Sequence, residues 1–186
     1  MAIALSPFLA FLNFLPCQTI LLHLLTVPEL QSLIPKDLTT ELAQLLTLPT
    51  TLPPDEFLFQ PTKAAPNDAQ KECLKKIFAA LMSTPEESYI KAVKDLVARY
   101  KGEGEGEVAE SEKGLKDLAI MLDEQYPGDI GVLCVFMLNV VELKEGEAAF
   151  LGANMPHAYI KGGKSPSLSL AIVSLGLLGV CGSQLT

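Results

Sequence analysis

The chain has 186 residues, with 22 acidic side chains against 14 basic ones and a formal charge of −8. That balance argues against a nucleic-acid binder, which needs clustered Lys and Arg, and the single arginine, Arg99, is sparse for phosphate handling. A hydrophobic content of 49% and a mean hydropathy of +0.32 exclude general disorder and leave room for a sizeable core.

The charges are unevenly spread. Residues 1–35 carry only Glu29, and residues 165–186 carry none. The N-terminal run MAIALSPFLAFLNFLPCQTILLHLL has no basic residue before Lys36, and Pro7, Asn13 and Pro16 interrupt it. It therefore does not read as a secretory signal. The run from Leu168 to Leu185 is near the minimum length of a membrane span. Its glycines and serines and the lack of a basic flank beyond Lys164 argue against one. The four cysteines, Cys17, Cys73, Cys134 and Cys181, show no CxxC spacing. Each reads as a small buried hydrophobe, which suits a reducing, cytoplasmic setting.

Next come helix signals. Leu38, Leu42, Leu45 and Leu46 recur at helical spacing behind Pro35. Prolines at 49, 53, 54 and 61 predict a loop from about Pro49 to Pro66. Asn67 with Gln70 three residues on predicts a capping box. Leu74, Ile77, Phe78 and Leu81 form the stripe behind it. Ser83-Thr84-Pro85-Glu86-Glu87 predicts a hydroxyl-capped helix start, followed by a buried face of Ile90, Val93, Val97 and Tyr100. KGEGEGE (Lys101–Glu107) reads as a flexible, solvated loop. Leu115, Leu118, Ala119, Leu122 and Tyr126 define another helix, stopped by Pro127-Gly128. A bundle of four or five helices is expected over about 17–126.

The pattern then changes. Ile130 to Leu143 is apolar and rich in β-branched residues, and predicts a buried strand. Lys144–Glu147 predicts a turn, Ala148–Leu151 a short strand, and Gly152–Asn154 a tight connection. Helices followed by strands imply an α+β fold. Of the two histidines, His23 sits in an apolar helix and reads as a helix-surface or core-edge residue. His157 follows a proline after the strand–turn–strand unit, and Tyr159 stands two residues on. In extended structure both side chains lie on one face, an arrangement open to metal binding or proton transfer.

At these residues the sequence resembles a known family. YPGDIG (Tyr126–Gly131), LNVVELKEGEAAFLGANMPHAYIKG (Leu138–Gly162), VPELQSLI (Val27–Ile34) and MAIALSPF (Met1–Phe8) are similar to type I mannose-6-phosphate isomerases. The resemblance implies a helical domain inserted into a cupin, a jelly-roll β-barrel. It divides the chain into a barrel strand (1–16), a helical domain (17–126), a return into the barrel (127–163) and an apolar tail without family likeness (164–186). It implies zinc, with His157 as one metal ligand and Tyr159 lining the substrate pocket, and it names no catalytic residue in this chain. The family's other three ligands would lie upstream of Met1, and its arginine beyond Lys161-Gly162, where the tail diverges. The implied activity is interconversion of mannose 6-phosphate and fructose 6-phosphate, which feeds GDP-mannose synthesis. It needs a proton moved between C1 and C2, and a sugar phosphate is the implied small-molecule partner. The chain itself reads as a truncated, inactive member. Two other readings are a non-catalytic helical module with a C-terminal membrane anchor, and an interaction protein built on the bundle alone.

Overall fold

The computed structural model describes residues 2–3, 6–46, 66–149 and 156–162. The expected proline-rich loop, the connection at Gly152–Asn154 and the apolar tail lie outside the described residues, apart from the loop's final Pro66. The chain divides into two compact units. One is Leu15–Met137; the other joins Met1–Phe14 to Leu138–Thr186.

The first unit is helical. Proline punctuates its start: Pro16 is the N-cap of α1 (Cys17–Thr26), Pro28 opens α2 (Pro28–Leu33), and Pro35 is the N-cap of α3 (Lys36–Leu45). Proline lacks an N–H and fixes φ, so it is well placed at a first turn and poorly placed within a helix. Residues 17–45 therefore form three short helices rather than one long one. α4 (Asp68–Met82) begins with the expected capping box: Asn67 Oδ1 accepts from Gln70 N at 2.8 Å, and Asn67 N donates to Gln70 Oε1 at 2.9 Å. α5 (Glu86–Lys101) and α6 (Lys116–Gln125) complete the set of helices among the described residues. Ile20, Leu30, Leu42, Leu74, Ile77, Leu81, Leu96 and Leu122 are fully buried. Each such side chain contributes roughly 1.5–3 kcal/mol by leaving water.

Three local expectations are corrected. Ser83 and Thr84 do not cap α5. Pro85 is itself the N-cap, in an extended conformation, and both hydroxyls donate back to the Ala80 carbonyl. The KGEGEGE loop is exposed, but its backbone is folded onto the end of α5. Gly102 takes φ 78°, and Glu103 N and Gly104 N both donate to Ala98 O, at 2.9 and 3.0 Å. This is a helix C-cap that only a left-handed residue completes. Finally, Ile130–Phe136 is not a strand but a run of 3-10 turns, started by Asp129, whose side chain accepts from Gly131 N. Residues 131–136 are buried throughout, and an apolar run buried on every side has no periodicity to separate strand from helix. Extended structure starts at Leu138, and the first compact unit ends at Met137.

The second unit is antiparallel. β2 (Phe8–Phe14) lies between β3 (Leu138–Leu143) and β5 (His157–Gly162), and β1 (Ala2–Ile3) pairs with β4 (Ala148–Ala149). β2 and β3 flank the helical unit in sequence and pair with each other. The helices are thus an insertion between two neighbouring strands. No helix among the described residues is long and apolar enough to cross a membrane.

Candidate functional site

Two clusters of polar groups stand out, one in each unit. In the strand unit, β5 pairs with β2 as Leu12↔His157, Phe11↔Ala158 and Ala10↔Tyr159. Directly paired residues of antiparallel strands project to the same face. His157 and Tyr159 therefore share a face with Leu12, Ala10 and Phe8, as the period of two predicts. The Tyr159 ring meets Phe8 edge-on, with centroids 5.6 Å apart. Such a contact holds the ring in place and leaves both site residues half-buried. Ala158 and Ile160, between and beyond them, are buried. The next pair is Leu9↔Lys161, so β5 carries one extra residue at Ile160. That bulge turns Lys161 to the face of Leu9, away from Tyr159.

The second cluster was not visible in the sequence. Arg99 of α5 is 3% exposed. Its Nε and Nη2 donate to the two oxygens of Glu29, at 2.9 and 2.7 Å. Nη2 and Nη1 donate to Glu112, at 2.7 and 3.0 Å. Nη1 also donates to the Glu107 carbonyl, at 3.1 Å. All five guanidinium N–H groups are thus matched. Glu112 further accepts from Tyr100 Oη and from Ala109 N. Burial opposes the charge on Arg99, but hydrogen bonds and attraction from the two carboxylates overcome it and hold the guanidinium firmly protonated. Burial and the neighbouring Glu112 charge push the Tyr100 phenol well up. No sequence signal links Glu29, Arg99 and Glu112, since the partners lie 70 and 13 residues apart. The cluster ties α2, α5 and the turn at Glu110–Glu112 together. Because Arg99 is fully engaged, the single arginine of the chain is not a donor for a substrate phosphate.

His23 is a core residue rather than a core-edge one. It is 2% exposed, its Nδ1–H donates to the Phe136 carbonyl at 2.9 Å, and its ring meets Phe136 edge-on. Burial holds its imidazole below the ordinary value, against the pull of the backbone at Phe136 and Ser111. Cys17, Cys73 and Cys134 are free and buried. Burial raises the thiols of Cys73 and Cys134 to about 11 and about 12, which makes them inert hydrophobes. A groove of about 440 Å³ between α2 and α5 is lined by Glu29, Lys91, Asp95 and Glu105 among others. Glu29 is held by Arg99, and Lys91 pairs with Asp95 at 2.6 Å.

A metal was tested against these positions. Catalytic zinc takes three protein ligands and keeps a fourth place open. Among the described residues, no three His, Cys, Asp or Glu side chains come together as a metal site. His157 by itself does not fit a resident zinc.

Strands that pair across an inserted helical domain define a class of β-scaffold proteins in which helices interrupt the sheet. Residues 34–138 match the family model for the helical insertion domain of type I phosphomannose isomerase. The chain belongs to the type I phosphomannose isomerase family. It is 60% identical over 162 residues to the mannose-6-phosphate isomerase of Cryptococcus neoformans, covering 87% of this chain and 37% of the relative. It is 36% identical over 163 residues to the human mannose-6-phosphate isomerase, covering 87% and 34%. It is also similar to a crystal structure of Salmonella typhimurium mannose 6-phosphate isomerase bound to fructose 6-phosphate and zinc. There the identity is 28%, the TM-score 0.52, and the coverage 86% of this chain and 32% of that one. The chain spans about a third of the length of the relatives it matches.

Proposed function

We propose that this chain supplies part of a mannose-6-phosphate isomerase: the helical insertion domain together with the strands that flank it. In that reading His157 is one ligand of the zinc, and Tyr159 lines the pocket for the sugar phosphate. The observation that carries the proposal is the common face of β5, where His157 and Tyr159 stand opposite Leu12 and Ala10. The chemistry of the whole enzyme would be interconversion of mannose 6-phosphate and fructose 6-phosphate. The buried free thiols of Cys17, Cys73 and Cys134 suit a cytoplasmic setting.

One imidazole is a weak ligand set. The 186-residue chain is therefore expected to bind less than one equivalent of zinc and to show no turnover. Elemental analysis beside a coupled assay from mannose 6-phosphate tests this, and stoichiometric zinc with turnover overturns it. In an isomerase carrying a full ligand set with these strands, His157→Ala is expected to strip the metal and abolish turnover. Tyr159→Phe is expected to keep the metal and lower rate or affinity. Normal zinc content in the His157→Ala enzyme would remove His157 from the site.

A further inference from the structure

Asn13 is the one non-glycine residue with positive φ among the described residues, at 65°. A side chain disfavours the left-handed region, although asparagine tolerates it better than most. The sheet register explains the position. β2 and β3 pair as Phe11↔Val140 and then Phe14↔Leu138, three steps along β2 against two along β3. The surplus residue makes a bulge at Leu12–Asn13, and bulges re-aim the side chains beside them. Two hydrogen bonds hold this one. Asn13 Oδ1 accepts from Phe14 N at 2.8 Å, and Asn13 N donates to the Pro156 carbonyl at 2.9 Å.

The second bond reaches the site. The Pro156 carbonyl belongs to the same planar peptide as the His157 nitrogen. Its neighbour in the register, Leu12, is the partner of His157 itself. His157 is the first residue of β5, a place where a strand frays unless it is tied down. The residue that carries the left-handed turn thus has its N–H bonded to the peptide that launches His157.

We infer that Asn13 is a positioning residue for His157, its left-handed bulge fixing the Pro156–His157 peptide and so the direction of the imidazole. The functional meaning rests on the proposed ligand role of His157, but the positioning is measurable without metal.

The chain has two histidines, one in each compact unit. Carbon-13 labelling of the histidine side chains in the 186-residue protein gives two imidazole signals, assigned with His157→Gln. His23 reports on the fold of the helices and serves as the internal control. Asn13→Val, which resists the left-handed region, is expected to displace or broaden the His157 signal beyond its linewidth while His23 stays in place. Asn13→Gly, which adopts that region freely and keeps the N–H, is expected to leave both signals at their wild-type positions. An unmoved His157 signal in Asn13→Val, or one displaced as far in Asn13→Gly, overturns the inference. If Asn13→Val sends His157 to its random-coil position, Asn13→Ala decides. Displacement there with Asn13→Gly at the wild-type position supports the role, and no displacement overturns it. Failure of the ligand reading shows separately, as normal zinc content in the His157→Ala isomerase.

Discussion

In the helical unit Arg99 spends all five of its donors on Glu29, Glu112 and the Glu107 carbonyl. Among the described residues no buried side-chain nitrogen or oxygen lacks a hydrogen-bond partner. In the strand unit His157 and Tyr159 stand half-buried on one face of β5, and the Tyr159 ring meets Phe8 edge-on. The difference separates two jobs. The helices use polar groups to fix their own packing, and the strands set His157 and Tyr159 on one face by backbone register. Stability and candidate chemistry therefore belong to different stretches of the chain, and each can be broken without the other.

The largest break is Arg99→Ala. It leaves two buried carboxylates without their cation, and a buried pair broken on one side costs about 3–5 kcal/mol. Urea unfolding followed by circular dichroism should show that loss. Arg99→Lys should recover little of it, because one compact ammonium cannot match five N–H directions fixed in one plane. The same experiment sharpens the comparison when run on Leu15–Met137 alone. That fragment is expected to give a mainly helical spectrum and a cooperative melt, and a coil spectrum would refute the autonomy of the helices.

Gly104→Ala is expected to come next, at about 1–3 kcal/mol, the usual range for forcing extra atoms into a packed site. A Cβ there would lie 2.7 Å from Arg99 N and 3.0 Å from the Ala98 carbonyl carbon, both backbone atoms that cannot swing away. Gly114→Ala is the control, with nothing within 4 Å of its Cβ. Equal losses at the two positions would mean that the loop does not rest on α5.

A smaller effect is a pH dependence confined to the helical unit. His23 has a folded-state pKa below its ordinary 6.5. As pH falls through 6.5 the unfolded chain takes the proton first, so the unfolded state binds more protons and stability declines. The contribution is complete above pH 6.5, is lost as pH falls toward the depressed folded value, and is flat below it. Melts of wild type and His23→Gln across that window should differ in slope, the variant being flatter. Parallel slopes would reassign the acid sensitivity to other groups.

The smallest effect tests the other side of the comparison. Asn13→Val should destabilise the strand unit by about 1–2 kcal/mol, the usual penalty for a left-handed residue with a branched side chain. Thermal melts of Leu15–Met137 cannot report it, since Asn13 lies outside that fragment. A loss seen in the 186-residue chain by the His157 signal, with helical ellipticity unchanged, would keep the two units separate.

Much of this molecule was legible as local pattern. The Asn67–Gln70 capping box, the proline start at Pro35 and the stripe through Leu74, Ile77 and Leu81 all act within a few residues, and each was readable where it stands. The common face of His157 and Tyr159 was readable for the same reason, because a strand alternates every two residues. What failed were features set by distant parts of the chain. Residues 131–136 are apolar because they are buried throughout, so the composition carries no period to separate strand from 3-10 turns. The glycines of KGEGEGE read as looseness. One closes α5 with a positive φ, and another lets the backbone approach within the radius of a Cβ.

The sequence by itself determined a helical stretch, the Asn67–Gln70 cap, the alternation of β5 and, through the motif Leu138–Gly162, the family. Only the tertiary structure decided that Arg99 is consumed by Glu29 and Glu112, that the helical unit ends at Met137, and that Asn13 N bonds the Pro156 carbonyl beside His157. Caps and periods are contacts between neighbours in the chain, so a short window contains both partners. An ion pair spanning 70 residues and a bulge defined by the count along a partner strand exist only once folding has brought the segments together.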